Sequence, residues 1–232
     1  MNSPARQLRE HIRFANLIIS CVEEHRGKID WLLSLRPRFV RVVNFGCNLG
    51  YETIGLAWYL GAELVVGIDR NQGSISQARS NVRYFFEAID GMWRTLHYLP
   101  KEAEGLRLEA DNLVQAYRKR PRPVFTQADF TQQTDLPDSY FDLAYCERVL
   151  YHIACEDTKP MMNHTRAAVQ EMARVIVPGG LVVAIEPCTC SPDDDTPLRL
   201  TRFFSQLGLV ELEVKNRFSP ESKSVYAFVK PS

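Results

Sequence analysis

Three features are missing from this sequence of 232 residues: a long apolar run, a C-x-x-C pair and an excess of charge of one sign. A membrane-spanning helix needs ~18 or more consecutive apolar residues, so we expect no membrane segment. The six cysteines lack zinc-site spacing and the polar N-terminus lacks a signal-peptide pattern, so we expect a cytoplasmic protein with reduced thiols and no structural metal. Basic and acidic residues number 28 each, which argues against a large nucleic-acid partner.

The composition that remains is that of an ordinary globular enzyme or binding protein. Hydrophobic residues make up 45% and charged residues 24%, enough to bury a core without disulfides. We expect one domain over residues 1–232, in which residues 1–36 form N-terminal helices. A monomer and a homodimer both remain open.

Apolar segments with strand-like and helix-like spacing alternate along the chain. The strand-like segments lie at 39–45, 64–68, 124–128, 141–146, 181–185, 209–214 and 225–229. Strands separated by helices predict an α/β fold with a Rossmann-like, doubly wound, mostly parallel sheet of seven strands. The last two strands are joined without a helix, so we expect them to form an antiparallel C-terminal pair.

A helical insertion is predicted between the second and third strands. Apolar residues recur there at three- and four-residue steps, and residues 85–120 exceed what a simple connection needs. This insertion could be a scaffold extension or dimer contact, or a cap or arm that walls an acceptor pocket. It ends in a basic cluster, through which a nucleic acid could dock, formed by Arg118, Lys119, Arg120 and Arg122.

Gly46 and Gly50 lie in a turn between the first strand and the next helix. Such a turn needs glycine because the backbone bends sharply and a ligand approaches it closely. Asp69 ends the second strand, where a carboxylate can accept hydrogen bonds from ribose hydroxyls. Asn48 and Tyr51 stand where a dinucleotide fingerprint has glycine, which disfavours a nicotinamide cofactor. The turn and Asp69 together predict an adenosine-containing cofactor.

Four later segments follow the glycine turn and Asp69, each near the end or the start of a predicted strand or helix. Asp129 and Phe130 end the third strand, residues 138–142 lead into the fourth, and residues 149–152 and 176–180 follow it. With the glycine turn, this series resembles the class I S-adenosylmethionine-dependent methyltransferase family, in its small-molecule form, over residues 39–229. In this resemblance Asp69 matches the family's ribose-binding acid and Asp129 matches its adenine-binding acid.

The resemblance implies S-adenosylmethionine as cofactor and S-adenosylhomocysteine as product. The predicted cofactor-binding residues are Asn44, Gly46, Cys47, Asn48, Gly50, Asp69, Arg70, Asp129, Phe130 and Cys146. Asn44 replaces the family's usual acid and brings no negative charge, although its amide could still hydrogen-bond the loop. Asn48 replaces the middle glycine and can keep the turn, since asparagine tolerates left-handed backbone angles.

The catalytic candidates are Glu147, Tyr151 and His152, which follow the fourth strand. Methyl transfer needs alignment above all, and it needs a base only if the acceptor arrives protonated. His152 suits a general base, and it could equally orient a loop. The leading hypothesis is methylation of a small-molecule acceptor at O, N, S or C. The alternatives are an RNA or protein methyltransferase that docks through the inserted helices, a non-catalytic S-adenosylmethionine-binding protein and, more distantly, a nicotinamide-dependent oxidoreductase.

Overall fold

Short apolar segments pair side by side to form the centre of the molecule. The computed structural model describes residues 3–99, 103–156, 163–187, 196–212 and 223–231. In this part of the chain the strands are β1 (Arg41–Phe45), β2 (Leu64–Asp69), β3 (Val124–Gln127), β4 (Phe141–Glu147), β5 (Ile176–Pro187), β6 (Val210–Glu211) and β7 (Lys223–Val229). Their order in the sheet is β3-β2-β1-β4-β5-β7-β6.

The first five strands are parallel, and β7 runs antiparallel to both β5 and β6. The strands β1 and β4 are neighbours although a long stretch of chain separates them, so the strand order reverses between them. In open α/β sheets, ligands bind beyond the carboxyl ends of the strands at such a reversal. The topology therefore places a ligand crevice at the ends of β1 and β4.

Helices cover both faces of the sheet. They are α1 (Pro4–Glu23), α2 (Arg26–Leu35), α3 (Tyr51–Leu60), α4 (Gln72–Thr95), α5 (Glu104–Tyr117), α6 (Leu150–Glu156), α7 (Asn163–Val175) and α8 (Thr196–Gln206). One core lies under α1 to α5, and a second core lies under α6, α7 and α8. Because both faces are covered, the central strands are buried on both sides and read as continuous apolar runs.

The predicted fold class is confirmed: the sheet is mostly parallel, has an antiparallel C-terminal pair and carries helices α4 and α5 between β2 and β3. None of the helices in the described residues is both long and apolar enough to span a membrane. The last residues of the predicted strand at 209–214 and residues 100–102 of the insertion lie outside the described residues. The assignment of residues 1–232 to a single domain stays a prediction.

The inserted helices pack onto the molecule itself. Helix α4 contacts α1 and α5. The ring of Trp58 on α3 lies 4.8 Å from Phe85 and 5.0 Å from Tyr117, measured between ring centroids. Rings at such distances and tilts add stabilisation beyond the area that they bury. The insertion therefore extends the α-helical layer on one side of the sheet.

Helix α6 is an element that the sequence pattern does not predict. Its first turn is held by Glu186 of β5, whose carboxylate accepts hydrogen bonds from the backbone amides of Val149, Leu150 and Tyr151 at 3.1 to 3.3 Å. These amides are among the donors that a helix leaves unpaired at its start. The partner comes from a strand about 35 residues later, so no local motif announces it.

A second carboxylate fixes the start of β1. Asp142 of β4 is buried, and its Oδ2 accepts hydrogen bonds from the amides of Val40 at 2.9 Å and Arg41 at 2.7 Å. We expect Asp142→Ala to lower the free energy of unfolding by about 2–3 kcal/mol, because it leaves two amides without an acceptor. Asp142→Asn keeps an acceptor oxygen and should cost less. Urea denaturation measures both, with exposed Asp135→Ala as control; equal effects of Asp142→Ala and the control would contradict this role.

The buried carboxyl group of Glu186 makes the free energy of unfolding depend on pH. Burial raises the pKa of its carboxyl to about 7, outweighing the three backbone amides that favour the charged form. Between the ordinary value of 4.5 and this value the folded protein holds a proton that the unfolded chain has released. The free energy that Glu186 contributes to stability is therefore fully present below pH 4.5. It falls as the pH rises from there through about 7, by roughly 3 kcal/mol in all.

Glu186→Gln has no such proton, so its stability relative to the wild type should improve between pH 5 and pH 8. Urea denaturation at the two pH values measures this difference, and Glu63→Gln, at an exposed site, is the matched control. A difference between wild type and Glu186→Gln that stays constant with pH would show that the carboxyl of Glu186 titrates in the same range in the folded and unfolded states.

Candidate functional site

A cavity of about 400 Å³ lies at the carboxyl ends of the central strands. Its volume falls within the range that small-molecule sites occupy. The lining residues are Gly46, Asn48, Asp69, Arg70, Asp129, Phe130, Thr131, Glu147, Arg148, Val149, His152 and Ile153. Eight of the thirteen residues predicted from the sequence are therefore in one lining, including both aspartates and two of the three catalytic candidates.

The turn after β1 owes its shape to left-handed residues. Gly46, Asn48 and Gly50 have φ angles of 71°, 46° and 84°. A Cβ atom at Gly46 would collide with the side chain of Val149, so this position needs glycine on two counts. Asn48 adopts the left-handed conformation that the sequence predicts for it.

Two backbone hydrogen bonds attach this turn to the neighbouring strand. The amides of Gly46 and Cys47 both donate to the carbonyl oxygen of Ile68, at 2.8 and 2.9 Å. The turn is thereby anchored to the last residues of β2, directly beside Asp69. The position of the turn and the position of Asp69 are thus fixed together.

The carboxylate of Asp69 bridges two loops at the mouth of the cavity. Its Oδ2 accepts a hydrogen bond from the amide of Asn48 at 2.9 Å, and its Oδ1 accepts one from the amide of Asn71 at 2.8 Å. Each carboxylate oxygen can accept two hydrogen bonds, so one further bond per oxygen can go to a ligand. The side chain of Asn71 also caps α4 by accepting from the amides of Gly73 and Ser74.

Asp129 and Phe130 form another part of the cavity wall. The Oδ1 atom of Asp129 accepts hydrogen bonds from the amide of Thr131 at 3.0 Å and from its hydroxyl at 2.7 Å. The ring of Phe130 is buried and lies 5.0 Å from the ring of Phe45 between centroids. Asp129 is therefore held in a fixed orientation beside a rigid aromatic surface.

The end of β4 and the start of α6 supply the remaining wall. Arg148 has a φ angle of 60°, a strained backbone state for a residue with a side chain. Its amide donates to the carbonyl of Ile185 at 2.8 Å, which keeps the bend in place. This bend turns the chain from β4 into α6 and brings Glu147 and His152 into the same lining.

Five predicted site residues lie outside the lining. They are Asn44, Cys47, Gly50, Cys146 and Tyr151. Asn44 is fully buried, and its Nδ2 donates hydrogen bonds to Glu52 Oε2 at 3.2 Å and to Thr53 Oγ1 at 2.9 Å. From the sequence we expect its amide to bind backbone amides of the loop, but it binds these two side chains of α3. Gly50 starts α3 in a left-handed conformation. All five residues lie close in sequence to residues of the lining, and their contacts with a cofactor stay predictions.

Cys47 and Cys146 are buried thiols. Burial raises the pKa of Cys47 to about 12 and raises that of Cys146 well above its ordinary range, so both remain protonated at neutral pH. Tyr151 is half-buried, with its amide bonded to Glu186. A thiolate nucleophile is therefore not offered by either of these two cysteines.

The lining also contains residues that the sequence analysis does not single out: Thr131, Arg148, Val149 and Ile153. Val149 and Ile153 lie within or next to the 149–152 segment, and Thr131 follows the Asp129–Phe130 pair, so proximity to a motif was the available signal. Two contacts next to the site had no such signal: Glu186 with the start of α6, and Lys28 with Glu147. In both cases the two partners are far apart in sequence.

The insertion contributes none of its described residues to this lining. Three arginines of its basic cluster contact the protein itself. Arg118 and Arg122 lie 3.7 and 4.0 Å from carboxylate oxygens of Asp90, and Arg120 donates to the carbonyl of Trp58 at 2.5 Å. Both observations favour the scaffold interpretation of the insertion over a wall for the acceptor pocket.

A half-buried group of charged side chains includes Glu147. The ligand-type atoms of His25, Glu52 and Glu147 all lie within 4.8 Å of one another. Such a set could hold a cation, but the ammonium group of Lys28 already contacts Glu147 Oε2. The arrangement therefore combines two carboxyl groups, one imidazole and one ammonium group at the edge of the cavity.

Comparison with known proteins identifies a matching family and a shared fold. The Methyltransferase domain family matches residues 91–184. That stretch contains Asp129, Glu147 and His152, and it begins after the glycine turn. No curated protein matches the chain.

Several solved structures share the fold. The N-methyltransferase NodS from Bradyrhizobium japonicum is 18% identical with a TM-score of 0.52, over 90% of this chain and 97% of that one. The magnesium protoporphyrin IX methyltransferase from Synechocystis, solved with bound SAM, is 15% identical with a TM-score of 0.55, over 96% and 83% of the two chains. The [4+2]-cyclase SpnF is 16% identical with a TM-score of 0.56, over 88% and 79%. The family match over residues 91–184 and the shared fold confirm the predicted resemblance to the class I S-adenosylmethionine-dependent methyltransferases.

Proposed function

We propose that this protein binds S-adenosylmethionine in the cavity at the ends of β1, β2 and β4 and transfers its methyl group to a small-molecule acceptor. One observation carries the proposal: Asp69, which ends β2, and Asp129, which follows β3, line the same cavity together with the left-handed turn at Gly46. Two carboxylates and a close backbone approach are what an adenosyl group needs for recognition. S-adenosylhomocysteine is then the product.

Asp69 is suited to the ribose. Each of its oxygens accepts one backbone amide and retains capacity for one ribose hydroxyl. Because those two amides hold the carboxylate in place, little side-chain entropy would be lost on binding. The same amides belong to the two loops that border the cavity, so a bound ribose would tie them together.

Asp129 and Phe130 are suited to the adenine. The carboxylate can accept from the exocyclic amino group, and the phenyl ring offers a flat apolar surface to the base. Thr131 fixes the orientation of Asp129, as its amide and hydroxyl both donate to Oδ1.

The sulfonium and its methyl group would then lie toward Glu147 and His152, which complete the lining. The acceptor atom attacks the methyl carbon in line with the departing sulfur, and the protein supplies proximity and alignment. Glu147 and His152 are the groups available to orient the acceptor or to receive its proton. Tyr151, the third catalytic candidate, lies outside the lining.

A small acceptor suits this site better than a nucleic acid. The cavity is a pocket of about 400 Å³, and the arginines of the basic cluster already contact Asp90 and Trp58. The fold alone does not determine the reaction, since the same fold serves a [4+2]-cyclase. A non-catalytic S-adenosylmethionine-binding protein is therefore the alternative that activity assays must exclude. A cytoplasmic location and a monomeric or dimeric state remain predictions from the sequence.

Asp69→Ala should weaken binding of S-adenosylhomocysteine by roughly tenfold to hundredfold, because it removes the acceptors for the ribose hydroxyls. Isothermal titration calorimetry measures the affinity, and circular dichroism checks that the variant folds. Asp69→Asn keeps one acceptor and should lie between, while exposed Asp135→Ala should match the wild type. Wild-type affinity in Asp69→Ala, or tight binding of NAD to the wild type, would contradict the proposal.

Neutralising Arg118, Lys119 and Arg122 to glutamine should leave methyl transfer to small acceptors unchanged. Arg120 is kept because its guanidinium binds the carbonyl of Trp58. Transfer of labelled methyl groups and binding to an RNA oligonucleotide at two salt concentrations measure the outcome. Salt-sensitive RNA binding by the wild type that the triple variant loses would favour the RNA methyltransferase instead.

A further inference from the structure

The first two helices bring a histidine and a lysine to the carboxyl groups beside the cavity. Lys28 of α2 contacts Glu147 Oε2 through its ammonium group, across 119 positions of sequence. His25, directly before α2, has its Nδ1 atom 3.5 Å from Glu52 Oε1. Glu52 lies in the first turn of α3, and Glu147 ends β4 and lines the cavity. Three elements, α2, α3 and β4, and the turn before α2 thus converge on one charged group.

This group is largely shielded from water. The side chains of Glu147, Glu52 and Lys28 are 8%, 13% and 14% exposed, whereas His25 is 23% exposed. Exposure therefore increases from the cavity wall at Glu147 to the junction of α1 and α2 at His25. Polar neighbours complete the shell: the hydroxyl of Tyr145 lies 3.4 Å from Glu147 Oε2, and Asn44 donates to Glu52 Oε2.

The two carboxyl groups share one charge and one proton. Burial, reinforced by the hydrogen bond and negative charge of Glu147, raises the pKa of Glu52 well above its ordinary value, and Lys28 opposes this only in part. Two carboxyl groups this close resist ionising together. Tyr145 and Cys146, which adjoin the two carboxyl groups, stay neutral because burial raises their pKa values. Lys28 thus pairs with Glu147, next to a Glu52 that holds its proton more tightly than an ordinary glutamate does.

We propose that Glu147, Glu52 and His25 form a proton path from the cavity to the surface, so that the acceptor is a molecule whose nucleophile carries a proton, an amine or a hydroxyl compound. This inference rests on the proposed methyl transfer and specifies its substrate class. Lys28 is a positioning residue that holds Glu147 ionised and aimed between turnovers. Glu52 and His25 act through Glu147.

The proton balance of the step is complete. The lone pair of the acceptor N or O forms a bond to the methyl carbon while the C–S bond breaks, and its electron pair stays on sulfur as neutral S-adenosylhomocysteine. The acceptor proton passes to Glu147. Glu52 then releases its own proton to His25, which passes it to water, and Glu147 transfers the acceptor proton to Glu52, so that Glu147 is again ionised and Glu52 is again protonated. Thioethers, and tertiary amines that bind as the free base, have no proton to give up in the transfer and need no such path.

The first test follows the titration of His25 directly. NMR of protein with ¹⁵N-labelled histidine, with and without S-adenosylhomocysteine, gives the titration curve of each imidazole, and a His25→Gln sample assigns the signal. Glu52→Gln should shift the His25 curve clearly. Exposed Glu24→Gln makes the same substitution one residue from His25, outside the path, and should shift the curve little. Identical His25 curves in wild type, Glu52→Gln and Glu147→Gln would overturn the path.

The second test measures turnover with methyl-labelled S-adenosylmethionine on primary amines and phenols, paired with tertiary amines and thioethers. Acceptors that carry a proton should be methylated and the others should not. On an acceptor found in this way, Glu52→Gln should lower kcat by roughly a hundredfold while the affinity for S-adenosylhomocysteine stays within about twofold. The acidic limb of its pH–kcat profile should shift to lower pH, because Glu147 then faces Lys28 without a second carboxyl group.

Preferred methylation of thioethers or tertiary amines, or an unchanged pH–kcat profile in Glu52→Gln, would overturn the inference. Failure of the wild type to bind S-adenosylhomocysteine would instead contradict the proposed function. The two failures are distinguishable because the titration of His25 is also measured in the ligand-free protein.

Discussion

The carboxylate of Asp69 joins the turn after β1 to the loop after β2, and the cavity takes its shape from that connection. The amide of Asn48 donates to one of its oxygens and the amide of Asn71 to the other, while the carbonyl of Ile68 beside it accepts from Gly46 and Cys47. Short, charge-assisted hydrogen bonds of this kind hold a loop firmly. The left-handed turn and a carboxylate that can accept hydrogen bonds from ribose hydroxyls are therefore both in place before any ligand binds.

Several acidic residues near the cavity have different properties because their surroundings differ. Asp129 is oriented by Thr131, Glu147 is paired with Lys28, Glu52 keeps its proton, and Glu186 caps α6 from a buried position. Burial raises the pKa values of Glu52 and Glu186, as expected for carboxyl groups enclosed by protein. The N-terminal helices matter here, because Lys28 of α2 contacts Glu147, and His25, in the turn before α2, lies beside Glu52.

The sequence sufficed for features that depend on local pattern. Valine-rich runs revealed the central strands, the missing helix before β7 revealed its antiparallel direction, and the spacing of Gly46, Asp69 and Asp129 revealed residues that meet in one cavity. It did not suffice where contacts span the chain. Helix α6 depends on Glu186, and Lys28 reaches Glu147 across 119 positions, so neither pattern is visible in a short window. The same reason hid the bend at Arg148, whose strained backbone is stabilised by Ile185.

A crystal structure with S-adenosylhomocysteine tests the central claim most directly. The account predicts both ribose hydroxyl oxygens within ~3.2 Å of the Asp69 carboxylate, the adenine amino group at Asp129 and the sulfur on the side of Glu147 and His152. A ligand bound elsewhere, or an adenosyl group that contacts neither aspartate, would contradict it.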